Sequence, residues 1–328
     1  MPNRRLRGSW FAIAVLLSGS CAIFAQDIGT TAVGQADTSI VALGARLFDD
    51  PALSGGGRTA CSTCHMPSRY FADGLARSVG DSGHPARRNT PTLLSAAGRT
   101  TYFWDGVETD LRSAVQRPLF DPDEMGNLSS ETLLETIKSR RGYEADFAGV
   151  FGSTDISLSR VADALVAYLR DIDASFRHDA KVSQLALAWQ QRAGLRIFRG
   201  KAGCGTCHTG ASLTDDSFHN TGLAMPGEAG VDPGRFSVTG TVSDAGRFRT
   251  PSLIAVANTA PYMHNGAFTD LDMVIRFYER GGGSPWLRNQ WEEADPVARS
   301  MATVSSKLRA FELTAQEREA LLAFLKTL

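Results

Sequence analysis

The chain has 328 residues, 43% hydrophobic and 21% charged, with a formal net charge of −1. That length allows two domains of roughly 150 residues, each with its own core. No basic stripe suits nucleic acid and no apolar run is long enough to span a bilayer, so neither partner is expected.

Residues 1–25 read as a signal peptide. Arg4, Arg5 and Arg7 precede a short apolar core at 10–17, and Ala25 suits a cleavage point. Removing those three charges takes the net charge from −1 to −4. Cys21 sits in a sequence that fits a lipidation site poorly. The expected location is therefore the periplasm, reached through a cleaved leader.

An amphipathic helix is expected at 42–48, followed by a glycine-rich loop and Cys61-Ser62-Thr63-Cys64-His65. The pattern returns at 193–198, again followed by a glycine turn and then Cys204-Gly205-Thr206-Cys207-His208. Two modules of one ancestry are the natural reading. Helical periodicity also fits 133–139 and 160–173, where Val161, Ala164, Leu165, Tyr168 and Leu169 share a face. Thr314 begins a capping pattern for a last helix running to about Leu325. Loops rich in Gly, Pro, Asp and Arg fill 73–91, 120–127 and 222–252, with room for a short hairpin around 234–249.

Both cysteine motifs read C-x-x-C-H, the signature of covalent c-type haem attachment. Two thiols three positions apart reach the two vinyl groups of one haem, and the adjacent imidazole becomes the proximal iron ligand. Zinc would need a second cysteine pair at short range, whereas these pairs lie 143 residues apart. A redox dithiol needs no following histidine. The motifs consume all four cysteines outside the leader, so no disulfide is expected. The fold class is mainly α: two cytochrome c-like haem domains with long ordered loops, at 38–178 and 185–328.

Further runs surround these motifs: Arg88-Asn89-Thr90-Pro91-Thr92-Leu93, Phe103-Trp104-Asp105-Gly106, Asp123-Glu124-Met125-Gly126 and Ala260-Pro261-Tyr262-Met263-His264-Asn265-Gly266. With them the chain resembles the bacterial di-haem cytochrome c peroxidase and MauG superfamily, in its MauG-like (MbnH-like) branch. The resemblance covers nearly the whole chain beyond the leader. It implies two covalent haem c groups, a calcium ion and hydrogen peroxide as oxidant.

Residue by residue, the resemblance implies Cys61, Cys64 and His65 for the open, peroxide-reactive haem, and Cys204, Cys207 and His208 for the other. The family places a distal ligand fourteen residues after the histidine of the Pro-Tyr-x-His run, which here is Tyr278. Periodicity alone makes Leu271, Val274, Ile275 and Tyr278 a core helix face. Met273 is the fallback ligand and Met225 a weaker one. Glu124 matches a distal carboxylate and Pro118 a proline over the first haem. The relatives' distal glutamine is replaced by Ala114, with Gln116 two positions out of register. Trp104 matches a tryptophan between the haems, although a large core residue reads equally well there. Asn89 and the carbonyls of Thr259 and Pro261 match calcium ligands. His84 is expected to be an exposed loop residue and His219 structural or exposed.

The function expected from this resemblance is a periplasmic enzyme that uses peroxide to oxidise a residue, such as a tryptophan, in a partner protein. Ala202 stands where MauG has a tryptophan used to pass electrons; Trp189, Trp286 and Trp291 are candidates to substitute, and the sequence does not choose among them. The rivals are a detoxifying peroxidase fed by a small redox protein and a plain di-haem electron carrier.

Overall fold

The computed structural model describes residues 33–179 and 187–328, so the expected leader lies outside the described residues. Helices dominate: α1 (Val33–Asp49), α2 (Cys61–Cys64), α3 (Leu111–Phe120), α4 (Ser130–Ser139), α5 (Tyr143–Phe151), α6 (Leu158–Asp179), α7 (Trp189–Arg199), α8 (Phe236–Thr239), α9 (Leu271–Glu279), α10 (Gln290–Ala294), α11 (Pro296–Met301) and α12 (Ala315–Leu325). No helix among the described residues is long and apolar enough to cross a membrane.

Several helices start where a side chain satisfies free amides. Asp110, Ser129 and Asp270 accept from the third residue beyond. Thr314 and Glu317 form the reciprocal box expected for α12: the Glu317 amide donates to Thr314 Oγ1 at 3.2 Å and the Thr314 amide to the Glu317 carboxylate at 2.8 Å. The hairpin for which 234–249 has room does not form. Phe248–Arg249 (β2) pairs instead, antiparallel, with Phe218–His219 (β1), and Gly234 meets Arg247 through a single parallel bridge. Two-residue strands carry too little pattern for sequence to pair them.

The helix that precedes each motif crosses a later one at a glycine. α1 packs on α6, and α7 on α12. A Cβ on Gly44 would collide with the Ala164 carbonyl, and one on Gly194 with the Ala320 carbonyl. Four residues on, Phe48 meets Tyr168 edge-on at 5.2 Å and Phe198 meets Phe324 edge-on at 5.3 Å. Around these crossings lie two cores, one with Leu47, Leu133 and Phe147, the other with Phe198, Ile275 and Leu321.

The duplication runs further than the motifs. At an offset of 160 residues Thr92 matches Ser252, Tyr102 matches Tyr262, Trp104 matches His264 and Asp110 matches Asp270. Local geometry matches too: Phe103 and Met263 have φ of 65° and 74°, and Gly106 and Gly266 both 67°. The Tyr102 amide donates to the Glu108 carbonyl at 2.8 Å and the Tyr262 amide to the Phe268 carbonyl at 2.7 Å.

The halves join by a reciprocal exchange. The Asn89 amide donates to the His264 carbonyl and the Arg249 amide to the Trp104 carbonyl, each at 2.8 Å. Arg88 adds an ion triad, with Asp105 at 2.5 Å and Asp232 at 2.6 Å.

The glycine crossing is testable. Gly194→Ala should cost about 1–3 kcal/mol by forcing α7 away from α12. Gly149→Ala in α5, where a Cβ meets nothing within 4 Å, should instead stabilise by roughly 0.5–1 kcal/mol. Urea unfolding of the two haem-loaded variants checks both signs.

Candidate active site

Each motif folds as one helical turn. Cys61 and Cys64 bound α2, and Cys204 opens a 3-10 turn at Cys204–Thr206. In both, the histidine amide donates to the first cysteine's carbonyl at 2.9 Å. None of the four cysteines pairs in a disulfide among the described residues. Burial pushes Cys61 up to about 12 and Cys204 to about 11.

Each histidine ring is aimed by its own loop. His65 Nδ1 lies 3.0 Å from the Phe71 carbonyl and His208 Nδ1 3.1 Å from the Leu213 carbonyl. A carbonyl only accepts, so Nδ1 carries the hydrogen and Nε2 keeps the lone pair that iron requires. Phe71 and Leu213 have φ of 60° and 51°, a left-handed conformation that non-glycine residues hold only under constraint. Neighbouring bonds supply that constraint: Thr92 Oγ1 donates to the Tyr70 carbonyl at 2.6 Å, and Ser252 Oγ to the Ser212 carbonyl at 2.7 Å. Burial lowers both imidazoles below their ordinary value, which favours the neutral ring a metal binds. These residues fit haem c at both motifs.

A cavity of about 220 Å³ lies at the second motif, walled by Cys204, Cys207, His208, Ile275 and Tyr278. The face of α9 drawn from periodicity, Leu271, Val274, Ile275 and Tyr278, lines this cavity throughout. Burial, then the thiols of Cys204 and Cys207, push the Tyr278 phenol well up. Met273 is 42% exposed on the other side of α9, and Met225 is not in the cavity wall. Glu279 clamps the end of α9 to α12 through Arg318, with both contacts at 3.0 Å.

In the first half, α3 is the counterpart of α9, and Pro118 stands where α9 has Tyr278. Proline offers no side-chain donor atom. Glu124 is half-buried and close enough to act electrostatically on Cys61 and Cys64. Burial first, then Asp121, raise its carboxyl to about 7. Its carbonyl accepts from the Asp81 amide at 2.7 Å, and the Asp81 carboxylate holds Ser54 Oγ at 2.9 Å and the Gly56 amide at 2.6 Å. The loop after the first motif, tied to the loop before it through the Asp81 carboxylate, thus holds the Glu124 backbone. His84 is exposed, as expected.

Trp104 is 8% exposed and lines the cavity, its Nε1 donating to the Asn89 carbonyl at 2.8 Å. Its ring meets His264 edge-on at 6.4 Å, and His264 stacks on Phe248 at 3.6 Å. Asn89, Thr259 and Pro261 line the same cavity, and Asn89 Nδ2 donates to the Leu75 carbonyl, leaving Oδ1 as an acceptor. An amide oxygen and two backbone carbonyls are the donor type that calcium takes.

Two features are not legible in the sequence: the contact of His219, expected to be structural or exposed, with the second motif, and a pair of arginines. His219 Nε2 sits 3.6 Å from Cys207 Sγ, with Asp215 beside it. Buried Arg249 and its neighbour Arg99 line the cavity. Only the 160-residue repeat could have flagged the arginines, and it emerges fully from the structure.

Residues 38–184 match the family model described as di-haem cytochrome c peroxidase. The methylamine utilization protein MauG of Methylorubrum extorquens is 36% identical over 292 residues, covering 88% of this chain and 77% of that protein. The cytochrome-c peroxidase IdrP1 of Pseudomonas sp. strain SCT is 32% identical, over 88% of this chain and 80% of its own. A crystal structure of a MauG-like protein associated with microbial copper homeostasis superposes with a TM-score of 0.75 at 32% identity, covering 88% of this chain and 89% of that one. Two haem motifs on a mainly helical frame and likeness across most of the chain lead to one conclusion: this protein belongs to the di-haem cytochrome c peroxidase family, oxidoreductases that carry two haem c groups.

Proposed function

We propose that this protein is a periplasmic, MauG-like enzyme that uses hydrogen peroxide to oxidise a residue of a partner protein. The observation that carries this reading is the contrast between Tyr278, in the cavity wall with His208, and Pro118 at the equivalent place in the first half. A phenolate is a hard anionic donor suited to oxidised iron, whereas proline leaves a face open to a small ligand.

Cys61, Cys64 and His65 would hold one haem, and Cys204, Cys207 and His208, with Tyr278, the other. When bound, the haems reduce peroxide and store the oxidising equivalents. Glu124 moves a proton between the peroxide oxygens, a task suited to a carboxyl near 7. Trp104, fixed through Asn89, is the aromatic bridge between the two halves. Asn89, Thr259 and Pro261 would hold a calcium ion, with donors from both halves. Electrons enter across the surface, where Trp189, Trp286 and Trp291 are 76%, 62% and 76% exposed. Ala202 offers no aromatic ring beside the second motif.

A second reading, peroxide removal with a small redox protein as donor, draws support from relatives named cytochrome-c peroxidase. Tyr278 separates the two. Tyr278→Phe should abolish partner oxidation while haem content stays at two, and unchanged turnover would reject the mechanism.

Glu124 gives a pH test. Its carboxyl keeps its proton up to about 7 when folded, against 4.5 ordinarily. The folded state therefore holds the extra proton between those values, and this group's contribution to stability falls as pH rises through that window. Glu124→Gln should remove that slope in denaturation midpoints and remove an inflection near pH 7 in the rate of reaction with peroxide. Retention of both features in the variant would assign them to another group.

A further inference from the structure

Arg99 and Arg249 share the cavity wall with Cys204, Cys207 and His208. Their guanidinium groups repel: burial first, then Arg249, bring Arg99 down to about 9. Arg249 is 2% exposed and well met, with Nη1 on Asp216 at 2.9 Å and Nε on the Phe103 carbonyl at 3.0 Å.

Arg99 lacks a comparable partner. Its Nη2 donates to the Leu94 carbonyl at 3.3 Å and the Ser95 hydroxyl at 3.1 Å. Its Nε is buried with no acceptor among the described residues, and so is the Thr101 hydroxyl two residues on. Nearby Asp173 is already engaged by the amides of Ser95 at 2.5 Å and Ala97 at 2.7 Å, and Asp216 by Arg249. A buried guanidinium is costly unless an anion meets it.

The repeat identifies what this place is. At the same 160-residue offset Arg249 is the mate of Asn89, Arg99 of Thr259 and Thr101 of Pro261. The three positions assigned above to a cation therefore recur across the halves as two cations and a hydroxyl. An oxygen-acceptor set takes a metal ion, and a donor set takes an anion. The resident cofactor brings carboxylates.

We propose that Arg99, which shares the cavity wall with Arg249, anchors a propionate carboxylate of the haem attached through Cys204 and Cys207. The proposal rests on that attachment. A guanidinium in this position keeps the propionate ionised and binds it in a fixed orientation.

The test uses the two-haem protein and its Arg99→Gln and Arg99→Lys variants, with midpoint potentials followed by spectroelectrochemistry from pH 5 to 8. The propionate of the wild type should add no pH dependence to the His208 haem. In Arg99→Gln the potential of that haem should fall as pH rises, because the carboxylate ionises without a counter-cation, while the His65 haem keeps its profile. Arg99→Lys should restore the wild-type behaviour. An Arg99→Gln protein with two haems and the wild-type profile overturns the proposal. If the Gln variant does not load two haems, resonance Raman spectra of the Lys variant decide: a shifted propionate band on one haem supports it, and unchanged bands overturn it. Haem content of a Cys204→Ser/Cys207→Ser double variant tests the attachment separately, since two haems remaining would remove the premise and not the role of Arg99.

Discussion

Two backbone hydrogen bonds hold the site together. Asn89 gives its amide to His264 and Arg249 gives its amide to Trp104, both at 2.8 Å across the halves. Each half builds a core on its own helix crossing, α1 on α6 and α7 on α12, but the cavity wall draws on both. Without the exchange, Trp104 would have no fixed relation to His208 or Tyr278. With it, the indole is edge-on to His264 and its Nε1 returns to the Asn89 carbonyl. Buried amides and carbonyls are costly to leave unpaired, so this register is held firmly.

Duplication built two similar frames, and substitution made them different. Both frames keep the left-handed carbonyl that orients the histidine, through Phe71 and Leu213. Both keep the Asp-capped helix that follows, α3 and α9. On that common frame Pro118 replaces a phenol, Trp104 an imidazole, and Asn89 a guanidinium. Each exchange alters which ligand, electron or ion a position can accept. Division of labour between two centres therefore needs few residues once the frame is shared.

The local signals were legible from sequence. The cysteine motifs, the periodic faces of α6 and α9, and the capping box of α12 depend on residues within a few positions of one another. Signals that depend on distant pairing were not. The β1–β2 pair joins segments thirty residues apart over two residues each, which no alternation pattern can announce. The repeat was visible only near the motifs, because its offset is 143 residues at the cysteines and 160 further on, a shift set by loops of unequal length. Glu124 reads as a solvated acid in its run of aspartates, and only burial raises its carboxyl. Arg99 looks ordinary until its lack of a counter-ion is seen in three dimensions.

The central claim is that the two centres act as one oxidising unit because Tyr278 closes one and Pro118 leaves the other open. Its most direct test is to titrate the all-ferric protein with one equivalent of hydrogen peroxide and record visible and near-infrared spectra. The account predicts that both haem spectra change together and that a near-infrared band appears which neither haem gives alone. No change until one haem has been reduced would contradict it, and would make Tyr278 a packing residue in a conventional peroxidase.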